Sequence, residues 1–491
     1  MTTSRLLRRS VSILGRLVKE PLRIPGHFKQ AAMVARQQGL RAMIHRTLVA
    51  GSNSTAHLGD YPGEAVDRKG LRQRALSHAL ELLPIEPELL TAVRLLESEA
   101  IPVVGAIRND PTGVAWRALF PRLRPTYKRI ILVPWITHGG ADLVALYAAK
   151  LAMEEHAPQE TLMIVADTGN LVAKDWLPRE LNLIVLSEFA PSLSVDERVE
   201  LLLCVLRTLK PVSVLNVNSR VGWELYEQYG RPLASFTQLF ATLFCPDYDE
   251  QGRLDGYASR YFRSTLPQLS AIYFDNASFI EQLWSQYAPP HHLRARLRTI
   301  YQPAPLVEMH SSTELRGASP FRVLWAGRLC AQKNLNLLIE IARSAPTIEF
   351  EVYGRGDDRH TSLISKADHE LSNLKFCGSY SSFEELPLST YNAYLYTSLW
   401  DGLPNALLTA AGTGMPVVAS AVGGISELVN NDTGWLVEAP MQAAGYVRAL
   451  DEIRAGPELA RQRTRKMREL IFNRHSWGAY VMSMKLAPAF A

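Results

Sequence analysis

The segment RIILVPW (129–135), followed by THGGADLVALYAAKLAMEE (137–155), decides the fold of this chain. A short apolar run that ends in a turn is typical of a buried strand, and the glycine turn after it opens a helix. Strand-like runs then recur between helical segments: TLMIVAD (161–167), LNLIVLS (181–187), VSVLNVNS (212–219) and LSAIYFD (269–275). Strands that alternate with helices predict a parallel, doubly wound sheet of the α/β class.

The same alternation begins again at Phe321. Further strand-like runs are FRVLWAG (321–327), IEFEVYG (348–354), LKFCG (374–378), AYLYTS (393–398) and PVVAS (416–420), and we expect helices to begin at Asn334, Pro404 and Gly424. Two such sheets in series predict two Rossmann-like domains facing a cleft, with ligands at the carboxyl ends of the strands. We predict an N-terminal helical extension and linker (1–125), a first domain (126–312), a second domain (313–475) and a C-terminal helix (476–491) that crosses back to the first domain.

Composition places the chain among ordinary globular proteins. Its 491 residues are 47% hydrophobic and 21% charged, which is enough for two or three domains with apolar cores. No run of about 18 uncharged apolar residues is present, so no transmembrane helix is predicted. The four cysteines lie far apart, which fits a reducing compartment and argues against a cysteine-based zinc site. We therefore expect a cytoplasmic protein.

Positive charge is concentrated at the N-terminus. Residues 1–50 hold ten Lys or Arg and one acid, Glu20, so this arm carries +9 and the remaining chain −4. This distribution argues against a nucleic-acid-binding protein. The arm has the pattern of basic amphipathic helices, which favours docking on an anionic membrane at the inner face of the plasma membrane. A helical collar packed on the protein body is an equally good interpretation, and an organelle transit peptide is a lesser alternative.

Two cations follow the first strand of the second domain. Gly327 and Arg328 come directly after the strand, and Lys333 precedes the next helix. An Arg and a Lys five residues apart at the carboxyl end of a parallel strand suit a diphosphate, because Arg offers a planar set of donors and Lys a compact charge. The alternative is that both are surface cations at a turn.

The strongest signal is the segment SLWDGLPNALLTAAGTGMPVVASAVGGISELV (398–429). The turn that ends at Asn405 opens a helix whose free amides and positive end can bind an anion. Asp401, just before the turn, can accept hydrogen bonds from neutral hydroxyls. A carboxylate beside phosphate-binding amides is what a nucleotide-sugar site needs.

These motifs resemble the retaining glycosyltransferases of family 4, which have the GT-B fold of two Rossmann-like domains. Asp401–Ala410 matches the E-x7-E signature, followed by the GxPVVAS and GGxxE runs. Arg328 and Lys333 match the pair that contacts the donor diphosphate, and Gly139-Gly140 match a glycine loop of the first domain. The resemblance covers about residues 127–485. The resemblance implies catalytic roles for Arg328, Lys333 and Asp401. It also implies contacts with the donor nucleotide sugar at Gly139, Gly140, Gly327, Gly402, Leu403, Pro404, Asn405, Leu408 and Thr409.

Two positions depart from the family pattern. Asp401 stands where the first glutamate of the signature is expected, and keeps the charge on a shorter side chain. Thr409 replaces the second glutamate, which the resemblance assigns to the ribose hydroxyls. Two interpretations follow. In the first, ribose recognition is relaxed and a deoxyribose donor such as dTDP-rhamnose is tolerated or preferred; in the second, the second domain binds without catalysis.

The remaining candidate positions are less specific. His138, Asn218 and Ser219 are acceptor-side candidates, although His138 is equally well explained as an ordinary loop histidine. Gly354 and Tyr380 are candidates for lining the nucleotide base, with ordinary turn residues as the alternative. Asp275 and Asn276 either line the cleft or cap the next helix; since Asn and Asp are common caps, the capping interpretation leads.

We expect no metal or other cofactor. The Asp247-Tyr248-Asp249 sequence looks like a metal motif but lies outside the diphosphate domain, and a calcium-loop interpretation lacks the required final glutamate. The expected partners are a nucleotide sugar and a glycan or lipid-linked glycan acceptor, such as an O-antigen intermediate. The expected function is retaining glycosyl transfer in cell-surface polysaccharide synthesis. A GT-B epimerase and a non-catalytic nucleotide-sugar-binding or scaffold protein are the alternatives.

Overall fold

The computed structural model describes residues 68–86, 89–90, 93, 97, 111–189, 191–249, 251–304 and 320–491. These belong to one compact unit, Arg68–Ala491. The basic arm (1–50) and most of the predicted linker lie outside the described residues. No helix in the described part of the chain is long and apolar enough to cross a membrane.

The first lobe is built on a seven-stranded parallel sheet. Its strands are β1 (Arg129–Val133), β2 (Thr161–Val165), β3 (Asn182–Val185), β4 (Ser213–Asn216), β5 (Gln238–Leu243), β6 (Ala271–Phe274) and β7 (Leu297–Thr299). Their order across the sheet is β3-β2-β1-β4-β5-β6-β7. The helices are α1 (Arg68–Leu82), α2 (Pro111–Leu119), α3 (Gly140–Glu155), α4 (Leu186–Phe189), α5 (Val195–Leu209), α6 (Arg220–Leu233), α7 (Tyr257–Thr265) and α8 (Ala277–Tyr287).

The second lobe is built on a six-stranded parallel sheet. Its strands are β8 (Phe321–Ala326), β9 (Ile348–Tyr353), β10 (Leu374–Gly378), β11 (Ala393–Tyr396), β12 (Val417–Ser420) and β13 (Trp435–Val437), in the order β10-β9-β8-β11-β12-β13. Its helices are α9 (Leu335–Ser344), α10 (Asp358–Glu370), α11 (Asn405–Gly412), α12 (Ala443–Ala455) and α13 (Pro457–Arg474). The chain ends with α14 (Trp477–Met484).

Apolar layers cover both faces of each sheet. In β1, Ile130 and Leu132 belong to one core of the first lobe, and Ile131 and Val133 to the other. This alternation follows from the two-residue period of a strand, and burial on both faces explains why the strand reads as an unbroken apolar run. The predicted doubly wound architecture is therefore present in both lobes.

Helix α14 packs on the first lobe after α13 has completed the second. Its Tyr480 and Met484 lie in the core beneath β1, and the Ser213 hydroxyl donates to the Phe490 carbonyl at 2.8 Å. Within the described residues, the chain therefore returns from the second lobe to the first between α13 and α14.

Four details differ from the sequence predictions. Strands β5, β7 and β13 were not predicted. The helix expected to begin at Gly424 is only a five-residue 3-10 turn, Gly423–Glu427. Gly423 has a φ of +50°, and a Cβ there would lie 1.8 Å from the Asp401 carbonyl oxygen. The backbone is therefore pressed against the preceding loop, where a regular helix does not begin.

Candidate functional site

A buried cluster of three side chains lies at the carboxyl edge of the second sheet. The Lys333 ammonium donates to Asp401 Oδ2 at 2.5 Å and to the Tyr396 hydroxyl, and that hydroxyl donates to the same Oδ2 at 2.7 Å. The side chains of Lys333 and Asp401 are only 10% and 13% exposed. Lys333 Nζ also lies 4.6 Å from the centre of the Tyr396 ring. Two residues predicted to be catalytic thus form one ion pair.

The loop that follows, residues 401–405, leads into α11 and presents main-chain amides. The Gly402 amide donates to Asp401 Oδ1 at 3.1 Å, and the Leu403 amide donates to Asp275 Oδ2 at 2.9 Å. Within the described residues, the amides of Asn405 and Ala406 have no acceptor. Unpaired amides at the positive end of a helix form an anion-binding site. The 401–405 loop and the first turn of α11 therefore combine two free amides with the Lys333 cluster.

Arg328 lies at the same edge but is exposed. Its Nη2 donates to Gln332 Oε1 at 3.2 Å, and Gln332 Nε2 donates to the Trp400 carbonyl at 2.9 Å. Gln332 thus links the Arg328 guanidinium to the residue just before Asp401. The predicted guanidinium, ammonium and main-chain donors lie at one edge of one sheet.

Glycines allow the ends of β8 and β9 to approach closely. A Cβ on Gly354 would lie 2.1 Å from the Gly327 carbonyl oxygen, and a Cβ on Gly356 would lie 2.1 Å from the Leu329 oxygen. Gly354 therefore has a packing role, whatever ligand its backbone faces. Tyr380 lies beyond the next strand, β10, where it is half-buried against the apolar core of the second lobe.

The predicted glycine loop of the first lobe is held by Asp142. Its Oδ2 accepts hydrogen bonds from the Thr137 amide and hydroxyl and from the Gly139 amide, at 2.8–3.1 Å. Burial raises the pKa of the Asp142 carboxyl. The Gly140 carbonyl accepts from Asn405 Nδ2 at 3.2 Å, which brings the loop against the start of α11. Gly139, Gly140 and Asn405, predicted from separate motifs, are thus neighbours.

The acceptor-side candidates differ in burial and in their partners. His138 is exposed and packs edge-on against Trp176, with ring centres 4.8 Å apart. Ser219 is fully buried: its hydroxyl donates to Asp167 Oδ1 at 2.7 Å and accepts from the Gly222 amide at the start of α6. Ser219 is therefore a helix cap, not a free hydroxyl facing the cleft. Asn218 beside it is partly exposed and has a φ of +59°.

Three predicted donor contacts need correction or restriction. Leu408 is 1% exposed within the apolar core of the second lobe, so its side chain cannot line the loop. Leu403 is also buried, and its amide already bonds to the first lobe. The Thr409 hydroxyl donates to the Asn405 carbonyl at 3.0 Å within its own helix. Pro404, which precedes the first helical residue, is the N-cap position of α11.

Glu427 joins the two lobes. Its carboxylate accepts hydrogen bonds from the Ala277 and Ser278 amides at the start of α8, from the Ser278 hydroxyl and from the Tyr301 hydroxyl, at 2.6–3.2 Å. These bonds outweigh burial and lower the pKa of Glu427. Arg474 completes the contact, since it donates to the Glu427 carbonyl and its guanidinium lies 4.4 Å from the Tyr301 ring.

Sequence reasoning gave no role to Tyr396 or Glu427, and it left Asp275 between cleft lining and helix capping. Tyr396 looks like an ordinary residue of a buried strand, although its polar end falls at the carboxyl edge. Glu427 was noted only as the last residue of the GGISE motif. The one feature of the sequence that could have indicated its role is that it is an acid directly after a glycine turn. Asn276, not Asp275, caps α8, where its Oδ1 accepts from the Phe279 amide at 2.8 Å.

No group of three or more His, Cys, Asp or Glu side chains within the described residues is arranged to hold a metal ion. The acids of the Asp247-Tyr248-Asp249 sequence bond within their own loop: Asp249 accepts from the Gln251 and Arg253 amides, and Asp247 accepts from the Tyr248 amide.

Comparison with protein families identifies the segment that contains this site. Residues 320–454 match the family model described as "Glycosyl transferases group 1". Two curated relatives match the chain over similar lengths. The amylovoran biosynthesis glycosyltransferase AmsK of Erwinia amylovora is 31% identical over 142 residues, 26% of this chain and 35% of AmsK. The O-antigen biosynthesis glycosyltransferase WbnH of Escherichia coli is 32% identical over 133 residues, 27% of this chain and 37% of WbnH. The chain thus spans about a third of the length of these relatives.

Solved structures extend the likeness to both lobes. The crystal structure of Anabaena HepE in complex with UDP and glucose has a TM-score of 0.57 at 16% identity, and the match covers 72% of this chain and 97% of HepE. Sucrose-phosphate synthase from Thermosynechococcus elongatus has a TM-score of 0.55 at 18% identity, covering 72% and 96%. At such low identity the likeness concerns the fold. The chain has the GT-B architecture of two Rossmann-like domains.

Proposed function

We propose that this protein is a glycosyltransferase that moves a sugar from a nucleotide-diphosphate sugar to a hydroxyl of a glycan or lipid-linked glycan, with retention. The observation that carries the proposal is the buried Lys333–Asp401 pair followed, at the start of α11, by the free amides of Asn405 and Ala406. This cluster lies inside the segment that matches group 1 glycosyl transferases. The matched relatives AmsK and WbnH, which act in amylovoran and O-antigen biosynthesis, support a polysaccharide acceptor.

In the proposed reaction, the bond between the anomeric carbon and the phosphate oxygen breaks, and its electron pair leaves with the diphosphate. The acceptor oxygen forms the new bond on the same face, and its proton passes to the leaving diphosphate. The Lys333 ammonium has three N–H donors, and two of them donate to Asp401 and Tyr396, so the third can donate to a phosphate oxygen. Arg328 and the amides of Asn405 and Ala406 would stabilise the remaining charge. These fixed charges are the reason to propose a reaction that needs no metal.

The Asp401 carboxylate can accept one more hydrogen bond, which we assign to a hydroxyl of the donor sugar. Its Oδ2 accepts two hydrogen bonds, whereas its Oδ1 accepts one, from Gly402. A carboxylate oxygen has two lone pairs, so Oδ1 retains one for a sugar hydroxyl. Asp401 is therefore proposed both to hold Lys333 and to orient the donor sugar.

The nucleotide is proposed to be one with relaxed ribose recognition, such as a dTDP-sugar. The Thr409 hydroxyl donates its proton to the Asn405 carbonyl, so it cannot also donate to the ribose. Threonine also has no carboxylate to accept hydrogen bonds from the ribose hydroxyls. Competition calorimetry with UDP, GDP and dTDP tests this. We expect dTDP to bind more tightly than UDP; the absence of a dTDP preference, or tighter UDP binding, would remove the idea.

The decisive experiment for the activity measures nucleotide release from a panel of nucleotide sugars, with and without a lipid-linked or free glycan acceptor. We expect release from at least one donor, and a loss of about 100-fold or more for Lys333→Ala, because a removed transition-state contact of that kind costs about 3 kcal/mol. Lys366→Ala is the matched control: this lysine is 75% exposed on α10, and its pair with Glu370, at 3.6 Å, lies at the surface. Equal rates for the two variants would refute the assignment of Lys333.

A non-catalytic nucleotide-sugar-binding protein is the second candidate. The observation in its favour is that Thr409 stands in place of a carboxylate and that both oxygens of Asp401 already accept hydrogen bonds. Binding of a nucleotide sugar without release from any donor, across all acceptors tried, would favour this candidate over the enzyme.

Residues 1–50 are proposed to dock the protein on an anionic membrane, which would bring it to a lipid-linked acceptor. Each basic residue near such a surface contributes about 1 kcal/mol. Sedimentation with vesicles that contain anionic lipid should fall sharply when these residues are deleted, and uncharged vesicles are the control. Unchanged sedimentation would discard this role.

A further inference from the structure

Asp275 is a buried carboxyl group of the first lobe that bonds to the second lobe. It directly follows β6 and is 6% exposed. Its Oδ2 accepts from the Leu403 amide at 2.9 Å, and its Oδ1 accepts from Asn276 Nδ2 at 2.6 Å. A main-chain amide of the 401–405 loop is therefore held by a side chain of the opposite lobe.

The contact between Asp275 and the loop leaves no room for a side chain at Gly402. A Cβ on Gly402 would lie 2.7 Å from Asp275 Oδ2 and 2.6 Å from the Phe244 carbonyl oxygen. That carbonyl also accepts from Asn276 Nδ2 at 3.0 Å, which fixes the side chain next to Asp275. The loop has little freedom to move toward the first lobe, so its position depends on the Asp275 carboxyl.

Negative charge is already crowded at this contact. The pKa of Asp275 is raised to about 7: burial is the largest cause, the hydrogen bonds from Leu403 and Asn276 oppose the rise, and the Asp401 carboxylate adds to it. The groups that face this contact from the elements around it are Asp401 with its partner Lys333, the Cys245 thiol after β5, and Tyr301 after β7 with its partner Glu427.

We propose that Asp275 is a positioning residue that holds the 401–405 loop for a nucleoside diphosphate, and that it takes up a proton when that anion binds. The inference rests on the proposed function. A diphosphate at the loop would bring further negative charge to a buried carboxylate that already lies near Asp401, and like charges favour protonation. A protonated Asp275 keeps its carbonyl oxygen for the Leu403 amide, so the loop stays held while the repulsion disappears.

Proton uptake can be counted by calorimetry. Titration with UDP and with dTDP at pH 8, in two buffers of different ionisation enthalpy, gives the number of protons bound per nucleotide. The diphosphate is already ionised at pH 8, and a group with a pKa near 7 is mostly ionised there as well. We expect an uptake of roughly half a proton or more for the native protein. Uptake should shrink as the pH is lowered below 7, where Asp275 is already protonated.

Asp275→Asn keeps a carbonyl oxygen for Leu403 but cannot titrate, so proton uptake should vanish. Its nucleotide affinity at pH 8 should rise by roughly fivefold, because no carboxylate then has to be protonated on binding. Asp275→Ala removes the acceptor as well and should weaken nucleotide binding by about tenfold or more. Asp167→Asn is the matched control: Asp167 is another partly buried first-lobe carboxyl, which caps α6 through the Arg220 and Val221 amides and whose pKa burial also raises. It should keep the native uptake.

The outcomes separate this inference from the proposed function. If nucleotides bind the native protein without proton uptake, or if Asp275→Asn binds them with the native uptake, the inference is wrong and the function stands. If UDP, GDP and dTDP all fail to bind the native protein, both the inference and the proposed function are wrong. The dependence of uptake on pH is measured on the native protein alone, so it decides the matter even if a variant fails to fold.

Discussion

Replacement of Lys333 by methionine is expected to destabilise the protein strongly. Lys333→Met keeps a long side chain but leaves the Asp401 carboxylate, 13% exposed, without its counter-ion. Removal of one partner from a buried ion pair costs about 3–5 kcal/mol, mostly because the remaining charge stays buried. Tyr396 would still donate to Asp401, so we expect a value near the lower end, about 3 kcal/mol.

Urea unfolding followed by tryptophan fluorescence measures this loss as a lower midpoint at an unchanged slope. The double variant Lys333→Met with Asp401→Leu should recover most of the loss, because no charge then remains buried. Lys366→Met, which removes an exposed pair with Glu370 at 3.6 Å, should cost less than about 0.5 kcal/mol. A loss under about 1 kcal/mol for Lys333→Met, additive with that of Asp401→Leu, would refute the reasoning.

Three further predictions concern the contact between the lobes and the link from α13 to α14. Glu427→Gln cannot accept all four hydrogen bonds, three from the start of α8 and one from the Tyr301 hydroxyl, and should lower the free energy of unfolding by about 1–3 kcal/mol; native stability would contradict it. Gly402→Ala places a Cβ 2.6 Å from the Phe244 oxygen and should weaken nucleotide binding, whereas Gly478→Ala, whose Cβ meets nothing, should stabilise α14 slightly; equal affinities for the two variants would count against this. His475 lies between α13 and α14, and burial lowers its pKa to about 4. The neutral form therefore contributes its full stability above about pH 6.5, and this contribution is lost as the pH falls toward 4. His475→Asn should remove about 2–3 kcal/mol of that pH dependence, and an unchanged urea midpoint profile would show that the group is not responsible.

The two-lobe architecture was predictable because its central strands are unbroken apolar runs bounded by turns. The strands that were missed differ in this respect. β7 and β13 have three residues each and lie at sheet edges, so neither offers a period long enough to recognise. β5 is longer, and its run Gln238–Leu243 could have been found. The turn at Gly423 could not have been predicted from the sequence, because its shape depends on the Asp401 carbonyl that lies against it.

The candidate site was predictable where its residues are close in sequence or follow successive strands. Arg328, Lys333 and Asp401 all fall at the carboxyl edge of one sheet, which strand order alone brings together. The bonds from Asp275 to Leu403 and from Glu427 to α8 join segments 128 and about 150 residues apart. No local pattern encodes such pairs, since they depend on how one lobe rests on the other. Local patterns also could not show that Leu408 and Ser219 are buried rather than facing the cleft.

The most direct test of the central claim is a crystal structure of the protein with a bound nucleoside diphosphate. We predict that the terminal phosphate will lie within hydrogen-bonding distance of Lys333 Nζ and of the free amides of Asn405 and Ala406. A nucleotide bound with its phosphates away from both Lys333 and the 401–405 loop would contradict the claim.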